Sequence, residues 1–253
     1  MILVIDHEEV RELRLNRPPV NALSPELIVA IRQALEVAPR EGAQALVISG
    51  APGRFCAGLD VPLLLTLDQP AIAALWHDFY ALLRTIACSP IPIAAAITGH
   101  APAGGTVLPL FCDCRVMAEG DWKIGLSEVQ VGLPLPRVIF SALSRQVGSR
   151  QAECLAVGGV LVSPPEAVQV GLVDELVAVE RGVERAIEWC NGLLELPRHA
   201  MALTRQQARA DLVRLFDHDL EAELEEVIAS WWSDETQSAL KALATQLGRR
   251  RSG

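Results

Sequence analysis

The sequence predicts an α/β fold from three observations: short strand-like runs alternate with helical patterns as far as Val177, one of those runs is apolar at every position, and every pattern after Val177 is helical. The opening reads ββα followed by β. Residues 2–6 and 10–15 are strand-like and separated by His7, Glu8 and Glu9, which fits a hairpin, and Pro18 with Pro19 stops the second run. Ser24 before Pro25 is a helix N-cap followed by the favoured first-turn proline. Leu27, Ile28, Ile31 and Leu35 keep helical spacing to about residue 37, and Ala45 to Ile48 is a short β-rich run ended by Ser49 and Gly50.

A long helix is expected from about Ala71 to Cys88, ended by Pro90 and Pro92. The run IAAAIT at 93–98 follows, apolar throughout, as a strand buried on both faces must be. It opens into the loop GHAPAGG at 99–105, and after a short helical stretch Cys112 to Ala118 forms a second apolar strand. Parallel strands alternating with crossover helices account for this order. Helical patterns at 180–194, 197–211, 216–232 and 235–248 then divide the chain into a strand-and-helix part, 1–178, and a helical region, 179–253. Trp231 and Trp232 stand where a helix could cover a pocket, or else belong to core or a subunit contact.

At 253 residues the chain can bury a sizeable core within one α/β domain, and its 51% hydrophobic and 21% charged residues describe a folded globular protein. The net charge of −9 is spread over short acidic stretches. The one concentrated basic run, Arg249 to Arg251, reads as a solvated tail, so no basic stripe serves nucleic acid. Cys56, Cys88, Cys112, Cys114, Cys154 and Cys190 lie in apolar contexts and are expected reduced and buried. Cys112 and Cys114 would share one strand face, but no second Cys or His pair follows at ligand spacing, so no metal site is expected. The N-terminal residues resemble neither a secretory signal nor an Arg-rich transit peptide, and no apolar stretch reaches membrane-spanning length, which implies a cytoplasmic protein with no membrane partner.

Three segments could carry chemistry. APGRFCAGLD at 51–60 is either an ordinary glycine turn or a loop whose small residues leave room for a ligand. GHAPAGGTVLPL at 99–110 leads from a buried strand into a short helix; its glycines serve close packing of helix on sheet or present a backbone N–H to a developing oxyanion. In KIGLSEVQVGLPLP at 123–136, Glu128 either reaches solvent or is held among apolar residues, where desolvation would raise its pKa and suit it to proton transfer near neutral pH. Serine-hydrolase, phosphate-loop and dinucleotide-binding motifs are absent, and no HExxH places the five histidines as zinc ligands. His100 alone adjoins one of the three segments, as a structural or an exposed residue.

Taken together, CAGLD at 56–60, GHAPAGGTVLPLFCDCRVMA at 99–118, IGLSEVQVGLPLP at 124–136 and PPEAVQVGLVDELV at 164–177 resemble the enoyl-CoA hydratase/isomerase, or crotonase, family in order and spacing. PAGG at 102–105, IGLSE at 124–128 and PPEAVQVGLVD at 164–174 are most similar to its mitochondrial-type Δ3,Δ2-enoyl-CoA isomerase branch. The resemblance implies the ClpP/crotonase-like spiral of ββα units with a helical C-terminal region that makes a homotrimer or a dimer of trimers. It implies an acyl-CoA thioester substrate and no separate cofactor, since coenzyme A is part of the substrate.

By the same resemblance, the Leu59 and Gly104 amides polarise the thioester carbonyl and Glu128 is the acid/base. Cys56, Ala57, Gly58, Asp60, Gly105, Val107 and Leu133 would surround the substrate; Arg54 would meet a coenzyme A phosphate or remain a surface arginine. Family hydratases use two glutamates, of which the first falls here on Val107 and the second on Glu128, and their glycine-rich stretch after the second is replaced by LPLPRVIF at 133–140. A single carboxylate suffices to move a proton from C2 to C4 of a 3-enoyl-CoA. Hydration or thioester hydrolysis, and a catalytically silent acyl-CoA binder, are the alternatives.

Overall fold

The computed structural model describes residues 1–217 and 220–251, the last two by backbone alone; His218 and the side chains of Arg250 and Arg251 lie outside the described residues. The chain opens with β1 (Ile2–His7), β2 (Val10–Leu15) and α1 (Pro25–Val37). Ser24 begins α1 as read, its Oγ accepting the Leu27 N–H at 3.3 Å. Replacing this buried hydroxyl, Ser24→Ala, is expected to cost about 1 kcal/mol, the usual worth of an N-cap, seen as a lower urea midpoint at unchanged slope.

Three strand pairs follow: β3 (Ala45–Ser49) with β4 (Gly53–Arg54), β5 (Ile93–Ile97) with β6 (Gly99–Pro102), and β7 (Cys114–Ala118) with β8 (Ile124–Gly125). Between the first two pairs lie α2 (Val61–Leu64) and α3 (Gln69–Ala87), and between the last two α4 (Gly104–Leu110). A 3-10 turn, Glu128–Val131, then leads to α5 (Arg137–Val147), α6 (Ser149–Val157), α7 (Pro164–Gln169) and β9 (Glu175–Val177). The first strand of each pair joins a six-stranded sheet ordered β1-β2-β3-β5-β7-β9, and the second joins a three-stranded sheet ordered β4-β6-β8. All pairings are parallel except β1 with β2. The expected ββα repeat is this division of each strand pair between two sheets.

The large sheet is covered on both faces. Leu46, Ile48, Ile93, Ala95 and Ile97 belong to the main core, while Ala45, Val47, Ala94 and Ala96 pack against Ala186 and Cys190 of α8 (Gly182–Leu194). Burial of alternate residues on opposite faces is why IAAAI, residues 93–97, has no polar position. Beyond α8 come α9 (Arg198–Ala208), α10 (Ala210–Arg214), α11 (Glu221–Trp231) and α12 (Asp234–Arg251). Leu212, Leu224, Val227, Trp231 and Leu240 of these helices share the main core with the strands. Among the described residues no helix is long and apolar enough to cross a membrane.

Several expectations are corrected. The strand expected from Cys112 begins at Cys114; Cys112 sits in the preceding turn and packs in the main core, whereas Cys114 faces α8, so the two thiols do not share a strand face. The Asp113 carboxylate between them accepts the Ile93 N–H at 2.8 Å and pairs with Arg205 and Arg209, which holds that turn out of the sheet. Cys88 and Cys154 are exposed, not buried; burial pushes the thiols of Cys56, Cys112, Cys114 and Cys190 up to about 12. The segment 99–105 is not wholly loop, because its first four residues form β6. The helix expected over 197–211 breaks at Arg209 into α9 and α10.

Candidate active site

Two turns meet beneath one cavity. The turn at 55–60 is clamped by residues just before α1: Asn21 Nδ2 donates to the Phe55 carbonyl at 3.0 Å, Leu23 N–H to the Gly58 carbonyl at 2.8 Å, and Asp60 N–H to the Leu23 carbonyl at 3.0 Å. Leu59 lies between the last two, and its own N–H has no acceptor among the described residues. Gly58, at φ +80, provides the reversal that leaves this amide outside the clamp.

The second turn is pinned to β8. Ala103 N–H donates to the Gly125 carbonyl at 2.8 Å and Thr106 Oγ1 accepts the Gly125 N–H at 2.7 Å. Ala103 itself has φ +50 and ψ −122, a strained conformation for a residue with a side chain. Gly104 follows as the first residue of α4, where an N–H has no intrahelical acceptor, and no other group among the described residues accepts from it. The turns are in contact: a Cβ added at Gly104 would lie 3.2 Å from Gly58 Cα, and one at Gly58 would lie 3.1 Å from Gly104 N. Gly58, which precedes Leu59, and Gly104 are therefore packed directly against each other.

The cavity above them has a volume of about 790 Å³. Glu128 enters it from the 3-10 turn, whose end is closed by Gly132 at φ +74 and by the Leu133 N–H donating to the Glu128 carbonyl at 3.1 Å. The residue as a whole is half-buried, but carboxyl Oε2 is shielded from solvent and has no hydrogen-bond partner among the described residues. Burial pushes the carboxyl pKa up to about 7, against a smaller lowering by the backbone amides of Glu128 and Ser127.

The structure brings together Ala57, Leu59, Asp60, Gly104, Val107, Glu128 and Leu133 as lining of this one cavity. Asp60 Oδ1 caps α2 and Oδ2 pairs with Arg17 at 2.6 Å, so its carboxylate is engaged. Four of the expected substrate contacts, Cys56, Gly58, Gly105 and Arg54, lie outside this lining. Cys56 is fully buried behind the turn, and Gly58 and Gly105 lie beneath the wall, acting through their lack of a side chain. Arg54 is exposed and donates Nη1 to the Pro19 carbonyl at 3.0 Å, outside the lining. His100 is also outside; its Nδ1 accepts the Lys123 N–H and its ring meets the edge of Trp122.

Sequence reasoning missed Trp76 and Phe79 of α3, Ile139 of α5 and Val227 of α11, all of which line the cavity. Their spacing is that of any core-facing helix residue, so no separate signal marks them. Trp231 lines the cavity and Trp232 is exposed, which divides the expected pair. Leu240, Leu243 and Leu247 bring α12 across the same space. Among the described residues, Glu128 and Asp60 are the two carboxylates in the lining, and no three His, Cys, Asp or Glu side chains gather as metal ligands anywhere. Chemically the site offers two lining residues whose backbone N–H groups have no acceptor among the described residues, and one desolvated carboxyl group.

Comparison with known proteins agrees in family and fold. The sequence model of enoyl-CoA hydratase/isomerase matches residues 6–245. The human mitochondrial enoyl-CoA delta isomerase 1 is 30% identical over 94% of this chain and 80% of its own length. A probable enoyl-CoA hydratase of Mycobacterium avium is 33% identical over 76% of this chain and 75% of its own. The crystal structure of human mitochondrial delta3-delta2-enoyl-CoA isomerase superposes with a TM-score of 0.92 at 29% identity, covering 98% of each chain.

Proposed function

From the premise that this chain belongs to the enoyl-CoA hydratase/isomerase family and has its crotonase fold, we propose that it converts a 3-enoyl-CoA to the 2-enoyl isomer with Glu128 as the single acid/base. The observation that carries this reading is the cavity's carboxylate inventory. Glu128 is desolvated and unpartnered at Oε2, Asp60 is held by Arg17, and the position matched to the hydratases' other glutamate is the buried Val107.

In this mechanism the Glu128 carboxylate removes a C2 proton. The C–H electron pair becomes the dienolate spanning the thioester oxygen to C4, and the oxygen's charge is met by the Leu59 and Gly104 N–H groups. The carboxylic acid then returns the proton at C4, leaving the double bond between C2 and C3. Each oxyanion donor of this kind contributes roughly 3 kcal/mol to the transition state. Reactant and product are isomers, so the balance requires no further reactant. The apolar walls, Trp76, Phe79 and Leu133 among them, exclude the water that would divert the dienolate.

A hydratase reading is favoured by the name of the Mycobacterium avium relative, and the two are separated by product analysis. Purified protein is expected to form conjugated 2-enoyl-CoA from 3-enoyl-CoA while hydrating 2-enoyl-CoA at least 100-fold more slowly, the usual scale of one missing acid/base group. Rapid hydration would overturn the isomerase reading. Because Glu128 must start ionised and its pKa is pushed up to about 7, turnover is expected to rise with pH through about 7 and level off above it. A rate falling over that interval would remove Glu128 as the initial base.

A further inference from the structure

We propose that Thr236, on the first turn of α12, is a positioning residue for Glu128: one hydrogen bond from its hydroxyl both fixes the turn that carries the carboxyl and holds α12 closed over the cavity. The proposal rests on the reading of Glu128 as the base. Thr236 is fully buried, an unusual place for a hydroxyl near a helix start whose neighbours Asp234 and Glu235 are exposed. Its Oγ1 donates to the Gly132 carbonyl at 2.8 Å. Gly132 is the left-handed residue that terminates the Glu128 turn, and Leu133, bonded back to the Glu128 carbonyl, follows it directly.

Ser233 completes the chain of bonds: its Oγ lies 3.0 Å from Thr236 Oγ1 and accepts the Thr236 N–H at 3.2 Å. Gln237 Nε2 meanwhile donates to the carbonyl of Trp231, a cavity residue, at 2.8 Å. The fit is close, since a Cβ on Gly132 would sit 3.1 Å from Thr236 Oγ1 and 3.2 Å from its Cα. From this anchor α12 runs on against α2 and the Glu128 turn and lays Leu240, Leu243 and Leu247 along the cavity. Without the Thr236 bond, the partly buried Gly132 carbonyl loses its side-chain partner, and turn and helix separate.

Separation admits water to Oε2, so the titration of Glu128 reports on the contact. Few other charges interfere: Asp60 is paired with Arg17, and Asp234, Glu235 and Lys241 of α12 and Arg137 of α5 are exposed. The test compares full-length wild type with Thr236→Val, which keeps the shape and loses the hydroxyl, Thr236→Ser, which keeps the hydroxyl, and the milder exposed-site variant Ser233→Ala. The Glu128 carboxyl is titrated by infrared difference against Glu128→Gln, and kcat and KM are measured for 3-enoyl-CoA.

Thr236→Val is expected to lower the Glu128 midpoint by about one pH unit toward the ordinary carboxylate range and to reduce plateau kcat about tenfold at little-changed KM. Ser233→Ala should move both in the same direction by less, and Thr236→Ser should match wild type. An unchanged midpoint in Thr236→Val, or Thr236→Ser behaving like Thr236→Val, overturns the proposal; if Thr236→Val does not fold, an unmoved midpoint in Ser233→Ala overturns it as well. A shifted midpoint in Thr236→Val, with a wild type that does not isomerise 3-enoyl-CoA, would support the positioning role while removing the isomerase reading.

Discussion

Glu128→Gln is expected to lower isomerase turnover by about 10³- to 10⁴-fold, near the upper end for a general acid/base, because one group serves both proton transfers. KM should change little, since the amide keeps the size of the carboxyl and the substrate carbonyl remains held by the Leu59 and Gly104 amides. Retention of more than a tenth of wild-type turnover would take Glu128 out of the mechanism. The same variant carries a stability signature with a determined sign. Burial raises the folded-state pKa of Glu128 from 4.5 to about 7, so between those values the folded protein binds a proton that the unfolded chain has released. The stability this provides is fully present below about 4.5 and is lost as pH rises through about 7. Glutamine does not titrate, so Glu128→Gln should exceed wild type in unfolding free energy at pH 8 by at most about 3 kcal/mol relative to the difference at pH 4. A difference independent of pH would mean that the carboxyl is solvated.

Much of the fold could be read from residue patterns because the strongest elements bury whole faces. β5 is apolar at every position since one set of its side chains meets the main core and the other meets α8, and α1 announces itself by Ser24, Pro25 and a four-residue apolar stripe. The small sheet was illegible for the opposite reason. β4 and β8 have two residues each and show no period, and β6 contains the glycine and proline that ordinarily mark a loop.

The site divides in the same way. Residue patterns single out Glu128 and the glycines of 99–110 with alternatives open, the family resemblance adds Leu59 and assigns the roles, and the presence of Leu59, Gly104 and Glu128 in the lining of one cavity is a property of the folded chain. Trp76, Phe79 and Val227 carry no mark that distinguishes a cavity wall from a packed core, because both require apolar side chains at helical spacing. Cys56 is buried behind the turn, and its carbonyl, against which Gly105 is packed, is a contact that no sequence pattern marks.

That contact makes Gly105→Ala the second large effect. An ideal Cβ at Gly105 would lie 2.1 Å from the Cys56 carbonyl oxygen and 3.0 Å from its carbon, both of them backbone atoms that cannot rotate away. The added methyl must push the 55–60 turn from the start of α4, and the turn is clamped on its other side by Asn21 and Leu23. Overpacking of this kind costs about 3 kcal/mol, and here it also moves the Leu59 amide relative to that of Gly104. Loss of one oxyanion donor alone reduces turnover about 10²- to 10³-fold, so the folded fraction of Gly105→Ala should be impaired by that factor even where its secondary structure is intact. Gly192→Ala is the matched control. Gly192 lies within α8, with no atom inside 4 Å of its ideal Cβ, and alanine there should gain about 0.5–1 kcal/mol from helix propensity with activity unchanged. If Gly105→Ala matched the control in unfolding midpoint and in turnover, the two turns would not need their close contact, and the oxyanion site as drawn from Leu59 and Gly104 would fall with it.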